Sequence, residues 1–122
     1  MQISDYRDLE IWCRARTLAR AAYSLTRSFP REELYGMTSQ IRRAATSIPA
    51  NIAEGWGRHY PAEFIQFLRT ANGSRTELET HLILSADIGL CTEAATQPLL
   101  QETAILGKQL LALERSLQRR QA

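Results

Sequence analysis

Ser47-Ile48-Pro49-Ala50-Asn51-Ile52-Ala53-Glu54-Gly55 places a proline inside what otherwise reads as one amphipathic helix. Leu34, Met37, Ile41, Ala44 and Ile48 lead up to it at helical spacing, and Ile52 and Trp56 continue the stripe without loss of phase. A mid-helix proline deletes a backbone hydrogen bond and bends the helix at a cost of roughly 3 kcal/mol or more, so surrounding packing has to hold it. The stretch therefore predicts a long second helix, bent at Pro49, inside a packed helical body. Gly55, Gly57 and Pro61 mark the turn that follows.

Outward from this stretch the same periodicity recurs. Ile11, Ala15, Leu18, Ala22, Leu25 and Phe29 alternate steps of four and three, which predicts a first helix from about Asp8 to Ser28, stopped ahead of Pro30. A third helix is expected from Pro61 to Gly89, with Phe64, Leu68, Ala71, Leu78 and Leu82 inward and Arg75 standing where the next apolar residue belongs. Gly73 and Ser74 suggest that another helix comes close there. Thr92 can cap a fourth helix carrying Leu99, Leu106, Leu110, Leu113 and Leu117, with Pro98 in an early turn and fraying over Arg119 to Ala122. Four helices on short connections predict an all-α, up-down-up-down antiparallel four-helix bundle, residues 1–122 forming one domain with short tails.

Composition agrees. A chain of 122 residues, 44% hydrophobic and 23% charged, can bury a single core without disulfides or metals. No apolar run approaches the ~20 residues of a membrane span, and Asp5, Asp8 and Glu10 oppose a signal peptide, so a cytoplasmic protein without membrane attachment is expected. Cys13 and Cys91 lack metal-ligand spacing and read as reduced, packed thiols at opposite ends of the bundle. The net charge is only +2, yet Lys108 is the sole lysine and the other cations are arginines, side chains suited to bidentate phosphate or carboxylate contacts. They are spread along the chain, with no basic tail.

Asp8-Leu9 with Trp12, Glu33 with Tyr35-Gly36, Ser39-Gln40-Ile41-Arg42-Arg43-Ala44, the Ser47–Gly55 stretch and Leu106-Gly107-Lys108 together resemble the bacterial four-helix-bundle proteins encoded in intervening sequences of large-subunit ribosomal RNA genes. The likeness spans nearly the whole chain and is most specific from Gln40 to Gly55. It implies a closed homopentamer around a central opening and no catalytic residues. A relative within the same resemblance is the accessory protein of diversity-generating retroelements, a basic pentamer that binds its reverse transcriptase and nucleic acid. By that implication the partners are copies of the chain itself, RNA or DNA, or a protein such as a reverse transcriptase.

The residues supply their own candidates. Trp12 and Tyr23 sit roughly 80 to 120° around the first helix from its apolar stripe, either as boundary residues against adjacent helices or as a flank that meets another subunit. Opposite Ile52, the outward small residues Ser47 and Ala50 would admit another helix, with Arg43, Glu54 and Arg58 making polar contacts across the seam; alternatively Glu54 and Arg58 are an i,i+4 pair on a solvated face. Arg75 is expected to form a structural ion pair with Glu79 or with a carboxylate of another helix such as Glu54, the alternative being a ligand contact. For nucleic acid the candidates are Arg42, Arg43, Arg58, Arg119 and Arg120, with Arg14, Arg16, Arg20 and Arg27 on the first helix. No helix-turn-helix, zinc or aromatic-strand signature is present, so contact would be sequence-tolerant and salt-sensitive. His59 and His81 stand apart from any ligand or catalytic cluster, so no metal, no cofactor and no enzymatic activity are expected. The function expected is a non-enzymatic homo-oligomer with sequence-tolerant nucleic-acid binding. The alternative is a scaffold or adaptor for a protein partner.

Overall fold

The computed structural model describes residues 3–121, which form four α-helices and no strand. These are α1 (Glu10–Thr26), α2 (Met37–Gly57), α3 (Pro61–Asp87) and α4 (Glu93–Gln121), with single 3₁₀ turns at Tyr6–Asp8 and Arg31–Glu33. Met1, Gln2 and Ala122, in the expected tails, lie outside the described residues. α1 packs against α2 and α4, and α3 packs against the same two, an arrangement consistent with a four-helix bundle. The expected stripes form one buried core, with Leu18, Ile48, Leu78 and Leu106 no more than 1% exposed.

Sequence periodicity misplaced the starts of two helices. α1 begins at Glu10 because the carboxylate of Asp5 accepts the Arg7 N–H at 2.8 Å and closes a separate 3₁₀ turn first. α2 begins at Met37, whose N–H donates to Glu33 Oε1 at 3.1 Å; an acidic side chain there satisfies an orphan donor and complements the helix dipole. Leu34, expected in the inward stripe, falls in the preceding turn and is 45% exposed. At the far end α4 stays helical through Arg119 and Arg120, where fraying was expected. Thr92 caps it as anticipated, its Oγ1 accepting the Ala95 N–H at 3.1 Å.

α2 runs without interruption through Pro49, and the residues around the proline divide the labour of holding it. Asn51 donates from Nδ2 to the Ser47 carbonyl at 2.8 Å and to the Ser47 hydroxyl at 3.0 Å, tying together the turn that contains the proline. The Ser47 hydroxyl in turn bonds Ser74 Oγ on α3 at 2.8 Å. Ser47 is thus half-buried against α3 and does not point outward as its sequence position suggested. Ala50 and Glu54 do face solvent. Gly55 is buried where α3 crosses: a Cβ there would stand 2.7 Å from Phe67 Cβ and 2.9 Å from Phe64 Cδ1. Only a residue without a side chain lets the two helices approach this closely.

Arg75, in phase with the α3 stripe, keeps its charge by pairing. Its Nη1 lies 3.0 Å from Glu79 Oε2 and donates to the Thr103 carbonyl on α4 at 3.3 Å, while Nε donates to Asn72 Oδ1 at 2.8 Å. The Thr103 hydroxyl donates to the same Glu79 oxygen at 2.6 Å. The guanidinium lies across Gly107, where a Cβ would come within 2.7 Å of Arg75 Cζ. This polar clasp fixes α3 against α4, and among the described residues every buried side-chain nitrogen and oxygen has a partner.

Candidate nucleic-acid interface

The arginines sort into two groups by what lies beside them. Arg7, Arg14, Arg58, Arg69 and Arg75 each pair with a carboxylate. Arg14 shows how thoroughly: it bonds Glu102 at 2.6 Å and Gln109 at 3.0 Å, tying α1 to α4, so its charge is spent inside the protein. Arg58 lies 2.9 Å from Glu54 and 3.5 Å from Glu63 and stacks over Phe67. The hydrogen bond to Glu54, with the charges of Glu54 and Glu63, pushes its pKa above the ordinary arginine value. That pair is the i,i+4 contact anticipated as the alternative for Glu54 and Arg58.

A second group, Arg16, Arg20, Arg27, Arg31, Arg42, Arg43, Arg115, Arg119 and Arg120, has no carboxylate within 4.0 Å among the described residues, and five of these, Arg16, Arg20, Arg27, Arg42 and Arg43, belong together. They converge on one surface. Arg16, Arg20 and Arg27 join Trp12, Tyr23 and Pro49 in walling a groove of about 630 Å³ between α1 and α2. Arg42 and Arg43 join Tyr23 and Tyr35 around an adjoining hollow of about 350 Å³. Tyr23 and Thr46 line both, so the two adjoin.

Helix geometry explains the alignment. Trp12, Arg16, Ala19, Arg20, Tyr23 and Arg27 fall within roughly 100° of one another at 100° per residue, so they form one stripe along α1 about 22 Å long. Cations and rings alternate on it and engage each other. Arg16 lies 5.6 Å from the Trp12 ring centroid and Arg42 lies 4.5 Å from that of Tyr23, while Arg42 Nε donates to Thr26 Oγ1 at 2.9 Å. Trp12 is half-buried and meets Tyr6 edge-on at 5.3 Å. Tyr35, in the turn before α2, is 93% exposed. Unpaired guanidinium groups interleaved with accessible rings can hold anionic oxygens and flat apolar surfaces side by side.

Of the arginines singled out in the sequence, Arg42 and Arg43 belong to this face together with Arg16, Arg20 and Arg27. Arg14 and Arg58 are engaged elsewhere, and Arg119 and Arg120 lie at the exposed end of α4. Arg120 borders a separate, mainly apolar cavity of about 460 Å³ with His59, Tyr60, Trp56 and Leu117. Trp12 and Tyr23 are walls of the basic groove, whereas Ala50 and Glu54 lie on the outward ridge of α2, which Arg43 borders from the adjoining hollow. The sequence reading missed Tyr35 and Thr46; an aromatic next to a glycine in a turn was the available signal for Tyr35. His81 lies 3.4 Å from Glu77 on its own helix. Among the described residues no group of histidine, cysteine and carboxylate side chains could hold a metal, and no helix is long and apolar enough to cross a membrane.

Cys13 is exposed, contrary to the packed position expected, and its Sγ lies 3.2 Å from the Arg7 carbonyl. Cys91 is half-buried, and burial pushes its thiol pKa up. Both are free thiols.

The molecule is an all-helical protein with a polar clasp on one seam and an arginine-aromatic groove on another. It belongs to the 23S rRNA-intervening sequence protein family, whose model matches residues 7–112. Its fold is similar to the crystal structure of a protein of unknown function from the S23 ribosomal protein family of Bacteroides thetaiotaomicron, at 23% identity and a TM-score of 0.76, over 85% of this chain and 97% of that one. Comparison with curated proteins gave no match.

Proposed function

We propose that this chain is a non-enzymatic, self-assembling helical module of the cytoplasm that binds nucleic acid through its α1–α2 face, without reading base sequence. The observation that carries this is the convergence of Arg16, Arg20, Arg27, Arg42 and Arg43 on one groove with no carboxylate beside them. Arg7, Arg14, Arg58, Arg69 and Arg75 are neutralised by neighbouring acids; leaving five unneutralised together on one face costs mutual repulsion that a polyanion would relieve. The reading includes an up-down-up-down order of the helices and a bend of α2 at Pro49, which is itself a wall of the groove. Assembly uses the Ala50 and Glu54 ridge, while Trp12 and Tyr23, first considered for that role, are kept in the groove because arginines stack on their rings. A pentamer, with net charge near +10 from five copies of +2, is the stoichiometry the family resemblance favours, and the link to retroelement accessory proteins and their reverse transcriptase belongs to the same proposal.

The test is a fluorescence-anisotropy titration of protein of known oligomeric mass against structured ribosomal RNA fragments, duplex DNA and single strands, at low and physiological salt. Affinity that falls steeply with salt is expected. Absence of binding to any of them at low salt would overturn the proposal and turn the search toward a protein partner for the bundle.

A further inference from the structure

Resting on the nucleic-acid reading, we infer that the α1–α2 groove takes an unpaired strand, whose bases stack on the groove's aromatic rings while its phosphates lie on the arginines. One feature points away from duplex as the preferred ligand. In a duplex the base faces are already stacked on each other, so rings on the protein gain nothing from it, and arginines alone would suffice. Here the arginines are interleaved with Trp12, Tyr23 and Tyr35 along two adjoining hollows. A cationic groove tracking the backbone, with aromatic platforms for successive bases, is the arrangement that favours single strands.

The rings are prepared for that task to different degrees. Tyr35 is 93% exposed, so its face is open to a base. Tyr23 is already covered by the Arg42 guanidinium at 4.5 Å, and Trp12 by that of Arg16 at 5.6 Å. A base can extend such a stack by lying on the guanidinium plane, which leaves the arginine edge free to reach the neighbouring phosphate. Arg42 is held in place for this by its bond to Thr26. The α1 stripe, about 22 Å long at 1.5 Å per residue, gives a footprint of roughly four nucleotides, the short end for such grooves.

Tyr35 gives a clean test, since a residue so exposed can be changed without disturbing the core. Labelled twelve-nucleotide single strands, one ribo- and one deoxyribo-pyrimidine, and a duplex of equal length would be titrated at one fixed ionic strength with the native protein, Tyr35→Leu, Tyr35→Phe and Arg16→Gln/Arg20→Gln. Single strands should bind roughly tenfold or more tightly than duplex; Tyr35→Leu should lose most of that advantage, Tyr35→Phe should keep it, and the arginine variant should weaken every ligand. A ribo-over-deoxyribo preference would identify RNA as the strand, and equal affinity would identify the shared backbone and base faces as what is read. Duplex bound as tightly as single strands, or Tyr35→Leu without effect on their ratio, would overturn the stacking inference while leaving phosphate binding intact. Loss of all binding at low salt in the native protein would instead overturn the nucleic-acid reading itself.

Discussion

At the scale of single residues, Arg75 shows how a charge can occupy a core position. Its aliphatic stem continues the α3 stripe, and its head is satisfied by Glu79, Asn72 and the Thr103 carbonyl. The contact depends on Gly107, because any Cβ there intrudes on the guanidinium. Gly107→Ala is expected to destabilise the protein by about 1 to 3 kcal/mol, through displaced hydrogen bonds and not through lost apolar burial. Denaturant unfolding checks this, and so does the double variant: in an Arg75→Ala background the same change should cost clearly less. An equal cost in both backgrounds would place the strain elsewhere. The two thiols differ at the same scale. Burial raises the Cys91 pKa, so near pH 8 less of it is thiolate, and alkylation should reach exposed Cys13 first. Peptide mapping after brief iodoacetamide treatment would show equal labelling if that burial were absent.

At the scale of elements, the way α2 ends and meets α3 rests on two residues of opposite character. Gly55 is required by the approach of Phe67 and Phe64, and Gly55→Ala should cost about 1 to 3 kcal/mol as the helices are forced apart. His59, just past the end of the helix, holds φ at +66°, in the left-handed region usually given to glycine, and donates its N–H to the Trp56 carbonyl at 3.2 Å. His59→Gly should therefore raise the melting temperature, by an amount corresponding to about 0.5 to 1 kcal/mol. A fall in melting temperature would mean that the imidazole contributes more than its backbone costs. The four helices were legible because Ile11 to Leu25, Ile41 to Ile52, Phe64 to Leu82 and Leu99 to Leu117 keep helical phase, and burial enforces that phase. The starts of α1 and α2 were not legible, since Asp5 and Glu33 decide them by reaching particular N–H groups, a matter of turn geometry and not of periodicity, whereas Pro61 and Thr92 marked those of α3 and α4. The same limit hid the inward turn of Ser47, whose partner Ser74 lies on another helix. For the groove, the sequence offered nine arginines as equals. Which ones remain unneutralised depends on carboxylates brought near by the fold, as Glu102 is to Arg14.

At the scale of the whole molecule, the basic groove and the outward ridge of α2 are neighbouring surfaces, so strand binding and self-assembly need not compete. Each phosphate neutralised by an arginine adds close to one unit to the salt dependence of binding. Arg16→Gln and Arg20→Gln should each therefore reduce the slope of log affinity against log salt by about one. The ridge calls for a different variant. Ala50 is exposed, and a long cation there adds no strain within one chain, so Ala50→Arg should leave the unfolding free energy within about 0.5 kcal/mol of the native value. If copies of α2 meet along that ridge, the same substitution sets like charges face to face and should lower the mass measured by light scattering. Affinity for a strand short enough for one groove should then be unchanged, whereas a strand long enough to span several should bind less tightly, because the linked sites that raise its effective concentration are gone. An unchanged mass in Ala50→Arg would make the ridge a solvated face and overturn the assembly role proposed for it, with the single-groove affinity unaffected.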